Sequence, residues 1–283
     1  MIAQDRRAII DVHTHILPES FRRERARYAL RDNTFAALIA PPKTRIATGD
    51  ELVASMNSAG IDRSVALGCG WTDIEVARES NDYLLEQAEA HPEQIIPFCS
   101  VNPAWGDAAL DEIRRCAERG AKGIGELHPD SQGYRLSDTN KLRPMMSLAF
   151  ELGLIVLTHS SEPVGHAYAG KGTATPSELE AFLMAFPENN IVFAHFGGGL
   201  PFYALMPEVK GALGNCYFDT AAAPFLYDTD IYGQLHALIG HNLIFGSDFP
   251  LVPQERALMH LADGGEIAIA SSGGAATLLG LES

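Results

Sequence analysis

Apolar and polar positions follow a repeating order along this chain. Eight short, nearly continuous apolar runs recur: RAIIDVH (7–13), RSVALGC (63–69), IIPFCSV (95–101), AKGIGEL (121–127), LIVLTH (154–159), NIVFAHF (190–196), CYFDTA (216–221) and LIFGSD (243–248). Runs without polar alternation are expected of strands buried on both faces of a parallel sheet. Between them lie amphipathic stretches such as SNDYLLEQAEAHP (80–92) and DAALDEIRRCAERG (107–120), the second stopped by Gly120. Most runs start roughly 25–35 residues apart, the pace of a βα unit. Eight such units predict an α/β protein with a closed (β/α)₈ TIM barrel, a single domain over residues 1–283. The rival, a doubly wound open sheet, would place a GxGxxG after the first strand, and none is there. Residues 18–50 break the pace as an insertion after strand 1. Its FRRERARYALRD part reads as helix and its IAPPKTRIATGDE part as loop. Function gathers at the C-terminal strand ends of such barrels, so the insertion is expected at the mouth of the site.

Composition narrows the class of partner. With 36 acidic against 21 basic residues the formal charge is -15. Nucleic-acid and anionic membrane surfaces need clustered Lys and Arg, so neither partner is expected. No run approaches the roughly 18 apolar residues of a membrane span. The start MIAQDRRAIIDVH carries no leader-like apolar stretch, and the expectation is a soluble, cytoplasmic protein. Cys69, Cys99, Cys116 and Cys216 are scattered without a CxxC pair and read as small reduced core residues.

The chemistry lies in the polar residues at the strand ends. His13 and His15 end strand 1, Glu126 lies near the end of strand 4, His159 ends strand 5, His195 strand 6 and Asp248 strand 8. A closed parallel barrel brings these ends into one ring. Side chains alternate along a strand, so His13 and His15 share a face. Two imidazoles with a carboxylate suit Zn²⁺ and tolerate Mn²⁺ or Fe²⁺. A lone HxH is weak evidence; the conjunction of matching ends makes the metal reading. Asp11, two residues before His13, reads either as an orienter of a ligating histidine or as a strand-end Asp bonded to nearby backbone.

These residues resemble something known. DVHTH after an apolar strand, a histidine after strand 5, AHFGGGLPF at strand 6 and FGSDFP at strand 8 are similar to the amidohydrolase superfamily. They look most like its amidohydrolase-related branch, which includes aminocarboxymuconate semialdehyde decarboxylase. The resemblance runs from about residue 7 to residue 256. The final IAIASSGGAATLLGL departs from the branch pattern, which leaves the place of the terminal helix open. The resemblance implies a divalent-metal enzyme in which His13, His15, His159 and Asp248 hold the principal ion, usually zinc. His195 would stand beside it as acid, base, oxyanion stabiliser or ligand to a second ion. Glu126 would bridge to that second ion or serve as a carboxylate around a single one. One ion is the slightly favoured expectation, with no organic cofactor.

Such a site suits metal-assisted hydrolysis of an amide, ester or lactone in a small, carboxylated substrate, with Asp248 taking the proton of water. Non-oxidative decarboxylation or hydration, as in the semialdehyde decarboxylase, is the alternative. A non-catalytic metal-binding barrel is the reading from another class, and the acidic composition weighs against a nuclease. Glu162, His166 and Lys171 in the loop after strand 5 are candidate substrate contacts, with Lys171 expected to meet a carboxylate. Arg45 in the insertion, Trp71 after strand 2 and His128 after strand 4 complete the candidates. His91, His236, His241 and His260 fit no metal pattern. A homodimer is the commonest arrangement for a soluble oligomer.

Overall fold

All eight apolar runs contribute strands. These are β1 (Ile10–His15), β2 (Arg63–Leu67), β3 (Ile95–Cys99), β4 (Gly123–Leu127), β5 (Ile155–Thr158), β6 (Ile191–Phe193), β7 (Cys216–Asp219) and β8 (Leu243–Ile244). The computed structural model describes residues 7–271 and 273–281; the first six residues, part of the stretch from which the absence of a leader was read, lie outside the described residues. Neighbouring strands pair in sequence order, all parallel. The ring closes between β1 and the chain after β8. There Val12 N–H donates to the Phe245 carbonyl and Asp248 N–H to the His13 carbonyl, both at 2.9 Å. This is the (β/α)₈ barrel expected from the spacing. β6 and β8 are shorter than their apolar runs, because the backbone then leaves the extended region and reaches φ 54° at His195 and 69° at Asp248.

Side chains alternate between two apolar layers, as strand geometry requires. Val65, Leu67, Ile155 and Leu157 belong to an inner cluster. Ala66 and Val156 belong to an outer one that includes Leu84, Ile113, Met146 and Leu179 of the surrounding helices. The terminal helix Gly273–Leu279, whose place the sequence left open, packs Ala275 onto the inner cluster.

Two irregularities decide what faces the barrel interior. From Asp11 to Thr14, β1 advances three residues while β2 advances two, from Ser64 to Ala66. From Ile124 to Leu127, β4 does the same against Val156 to Thr158 of β5. One extra residue in a strand reverses the face of everything after it. The first bulge separates Asp11 from the face of His13, which a regular strand would have shared. The second falls at Gly125–Glu126 and turns the glutamate inward, while Ile124 and Leu127 both stay in the outer cluster.

The insertion forms helices Glu19–Arg23 and Arg25–Arg31, a π-helical turn Phe35–Ile39 and a coil. Helix Gly49–Ala59 then begins two residues before the expected loop ends, because Thr48 and Glu51 cap each other's backbone N–H reciprocally. Phe21, Tyr28 and Phe35 of the insertion pack against Trp71, with Phe21 and Phe35 ring centroids 5.9 and 6.3 Å from the indole. This corrects the expectation for Trp71. It is fully buried against the insertion and is not among the residues that line the cavity beside the donors. Among the described residues no helix is long and apolar enough to cross a membrane.

Candidate metal centre

The inward-turned residues meet at one point. His13 Nε2 and His15 Nε2 stand 3.1 Å apart. Asp248 Oδ1 lies 3.8 and 3.6 Å from them, and Glu126 Oε2 lies 3.7 and 3.5 Å from them. A tetrahedron with bonds of ~2.1 Å has edges of about 3.4 Å, so the two imidazoles with either carboxylate are spaced as donors around one small divalent ion. Two donor sets converge here, His13 with His15 and Asp248, and His13 with Glu126 and His195. Both need the same His13 nitrogen, because Nδ1 of that ring is engaged elsewhere. Nitrogen and carboxylate oxygen donors of this kind fit Zn²⁺, Mn²⁺ or Fe²⁺.

The engagement of Nδ1 is a residue that sequence reasoning missed. Asp219, the last residue of β7, accepts from His13 Nδ1 at 2.8 Å with both side chains fully buried. Its other oxygen accepts the backbone N–H of His195 at 2.9 Å and of Ala221 at 3.0 Å. One carboxylate thus fixes the tautomer of His13, directs its Nε2 to the centre, and anchors the turn that carries His195. The signal was present: within CYFDTA the apolar strand gives way to an aspartate, Asp219, at the same barrel end as the other candidates. Asp11 plays no such part. It accepts from Ser247 Oγ at 2.6 Å, Gln254 Nε2 at 2.8 Å and the backbone N–H groups of Ser247 and His13, which fixes β1 to the segment carrying Asp248. Of the two readings of Asp11, the backbone-bonding one holds.

Space at the centre is made by glycine. A Cβ at Gly246 would lie 2.9 Å from the His13 Cβ, and one at Gly198 would lie 2.3 Å from the Ser161 carbonyl oxygen. From His195 to Gly199 every residue has positive φ, a tight left-handed turn that explains the three glycines of AHFGGGLPF. The non-glycine members of positive-φ backbone nearest the centre are His195 and Asp248, both donors or neighbours of donors. Strained backbone of this type persists where surrounding structure holds it, and here Asp219 and the His13 carbonyl do so.

His159 stands outside both donor sets. Its Nδ1 lies 2.9 Å from Glu126 Oε1 and 3.1 Å from His195 Nε2. His195 Nδ1 donates to the Ala221 carbonyl at 3.1 Å, leaving Nε2 toward Glu126 Oε1 at 3.5 Å. Burial pushes the Glu126 carboxyl up, but hydrogen bonds from His13, His159 and His195 outweigh it and hold the group well below the ordinary glutamate range. Burial pulls His13 down, and Asp219 and Glu126 overcome it to hold the ring well above 6.5. His195 likewise rises against burial to about 9, chiefly through Glu126. Burial and the neighbouring His13 lower His15. The buried carboxylates therefore draw positive charge to this point, which protons or a divalent ion can supply.

A cavity of about 250 Å³ opens beside the donors, lined by His15, Glu126, His128, His159, His195 and Asp248 below and by Leu38, Ile39 and Arg45 of the insertion above. The insertion thus roofs the site as expected. Arg45 is exposed, with its guanidinium 5.5 Å from the Phe249 ring centroid. Lys171 is placed differently from expectation. Its ammonium donates to the Val164 carbonyl and, at 3.1 Å, to the His166 carbonyl of its own loop. It lines a separate groove of about 400 Å³ with Glu162, whose carboxylate accepts from the Tyr168 hydroxyl at 2.9 Å. A cation satisfied by local carbonyls is held away from the donor cavity. His166 reaches both that groove and a third cavity of about 370 Å³ shared with His159, His195 and Asp248.

A family model described as amidohydrolase matches residues 10–269. The chain is 28% identical over 152 residues to the γ-resorcylate decarboxylase of Rhizobium radiobacter, a match covering 46% of each protein. It therefore spans about half the length of the curated relatives it matches. In fold it is similar to 5-carboxyvanillate decarboxylase LigW from Sphingomonas paucimobilis, with a TM-score of 0.76, 15% identity and coverage of 96% and 98%. A dihydroxybenzoic acid decarboxylase from Polaromonas sp. JS666, solved with manganese and the inhibitor 2-nitroresorcinol, gives a TM-score of 0.71, 18% identity and 97% coverage of both chains. All three of these relatives are named as decarboxylases, and none as the hydrolase expected from the sequence. Manganese, not the expected zinc, is the ion named for the Polaromonas protein.

Proposed function

The chain belongs to the amidohydrolase family, and from that membership we propose that it is a metal-dependent, non-oxidative decarboxylase of small carboxylated aromatic compounds. The donor cluster serves hydrolysis and decarboxylation alike. What carries the choice is that the sequence relative and the two solved relatives are named as decarboxylases of aromatic acids.

In this reading His13, His15 and Asp248 hold one divalent ion, with Glu126 closing on the same two imidazoles. A single ion is the reading supported by the sharing of His13, since only one nitrogen of that ring is free and both donor sets use it. When bound, the ion supplies a Lewis acid that holds and polarises substrate oxygens. Arg45 faces the same cavity and supplies the positive charge that a substrate carboxylate needs on entry. The apolar roof of Leu38, Ile39 and Leu251 excludes water from the ring. His195 is the proton carrier: its Nδ1 is tied to the Ala221 carbonyl, so it gains and loses its proton at Nε2. Delivery of that proton to the ring carbon replaces the carboxyl group, which departs as carbon dioxide without the bonding pair. Glu126, against Nε2 of His195 and Nδ1 of His159, balances the imidazolium charge before transfer.

The test is a substrate panel with simultaneous detection of carbon dioxide and of ring products. Hydroxylated and methoxylated benzoates are expected to lose carbon dioxide mole for mole. Turnover of amides, esters or lactones with none released would return the protein to the hydrolase reading.

A further inference from the structure

His128 follows β4, immediately before the short helix Pro129–Gln132, and three contacts fix its place. Its Nδ1 accepts the Ser131 backbone N–H at 3.5 Å, and its own N–H donates to Gln132 Oε1 at 3.0 Å. That glutamine is held in turn by the Val101 carbonyl at 2.8 Å. The His128 ring stacks on His159, with centroids 4.3 Å apart and planes 18° from parallel. A neutral imidazole whose Nδ1 accepts carries its proton on Nε2. That Nε2 is buried and has no hydrogen-bond partner among the described residues, while the side chain lines the donor cavity. Proteins keep few buried donors unpaired, because each forfeits its hydrogen bond to water with nothing in return.

We propose that His128 determines specificity: its Nε2–H donates to a ring hydroxyl oxygen of the bound aromatic acid. This rests on the aromatic-acid reading above. The choice of hydroxyl over carboxylate comes from the neighbours. Arg45 lines the same cavity and matches a full negative charge, whereas a neutral N–H donor suits an uncharged oxygen. A site built to hydrogen-bond a substrate hydroxyl rejects the analogue without one, since the buried donor is then left bare.

The test uses the metal-loaded protein and measures binding of benzoate and its 2-, 3- and 4-hydroxy isomers by calorimetry. Wild type, His128→Leu and His128→Gln are compared, with metal content and Tm recorded for each. Wild type should favour one hydroxy isomer over benzoate by about 10-fold or more. His128→Leu should bring that ratio within about 3-fold while leaving benzoate affinity and metal content nearly unchanged. His128→Gln, which keeps an N–H at the same reach, should recover part of the ratio. A ratio unaltered in His128→Leu overturns the inference, as does equal weakening of every acid. Wild type that binds all four acids equally defeats the role of His128 alone; wild type that binds none defeats the aromatic-acid reading and the inference together. Nitrogen-15 chemical shifts of His128 supply a ligand-free readout, and a proton found on Nδ1 would refute the proposal.

Discussion

Replacing Asp219 by asparagine isolates the consequence of fixing one imidazole tautomer. The carboxylate accepts three buried hydrogen bonds, from His13 Nδ1 at 2.8 Å and from the backbone N–H groups of His195 and Ala221 at 2.9 and 3.0 Å. Asparagine has the same shape but only one acceptor oxygen. If that oxygen keeps the two backbone bonds, the amide NH₂ faces His13 Nδ1, which must then accept. The ring proton moves to Nε2, the nitrogen that points at His15, Glu126 and Asp248, and the lone pair for the ion is lost. If the amide flips, His13 keeps its tautomer and two backbone N–H groups face an NH₂ group. Either way one strong buried interaction becomes a mismatch, at about 1–3 kcal/mol. Loss of an outer carboxylate behind a ligating histidine typically weakens metal binding about 10–100-fold, or ~1.4–2.8 kcal/mol. Chelator competition measures the metal affinity, and urea unfolding in excess chelator measures stability without the ion. Asp219→Ala leaves all three donors bare and should lose more stability, roughly 2–5 kcal/mol. Asp219→Asn that binds metal within twofold of wild type and unfolds at the same urea concentration without the ion would refute the argument.

Three further outcomes follow from other parts of the molecule. Buried Glu112 is pushed up by desolvation, but hydrogen bonds from Arg115 and Asn81 outweigh burial and hold its pKa below 4.5. A depressed folded pKa adds stability above the unfolded value that is lost as pH falls; Glu112→Gln should therefore unfold more easily by about 1–3 kcal/mol at pH 7, discounted for the partly exposed arginine, with the gap closing below pH 4.5 in urea titrations. Gly198→Ala should cost ~2 kcal/mol or more, from a left-handed backbone and a Cβ against the Ser161 carbonyl, whereas Gly265→Ala, at φ 76° in open space, should cost only about 1 kcal/mol by Tm. Arg45→Gln should raise KM for a carboxylated aromatic substrate about 10–100-fold and Lys171→Ala less than threefold, the reverse pattern placing the carboxylate in the outer groove.

The barrel was legible because its signal is long-range and redundant: eight apolar runs, most at one pace, with histidines or acidic residues at or near the ends of several of them. The meeting of His13, His15, Glu126 and Asp248 followed from placing those ends in a ring. What stayed hidden depends on one-residue offsets. Alternation alone puts Asp11 beside His13, and only the bulge in β1, set by pairing with β2, separates them. The same kind of offset in β4 turns Glu126 inward. The role of Asp219 needed its partner to be known, since an aspartate ending an apolar strand also serves as a turn residue. For Trp71 and Lys171, position after a strand gives the end of the barrel, not the direction of the side chain, so the sequence left their roles open. Trp71 was claimed by aromatic residues of the insertion, and Lys171 by carbonyls of its own loop.

The central claim is that one divalent ion, held through His13 Nε2, drives loss of carbon dioxide from an aromatic acid. It is tested most directly by stripping the protein of metal and adding Mn²⁺ or Zn²⁺ stepwise while following carbon dioxide release from 2,6-dihydroxybenzoate or the best acid of the panel. Release should rise linearly and break at one equivalent of ion per chain, with no activity in the stripped protein. A break at two equivalents, or release that persists in excess chelator, would contradict the account.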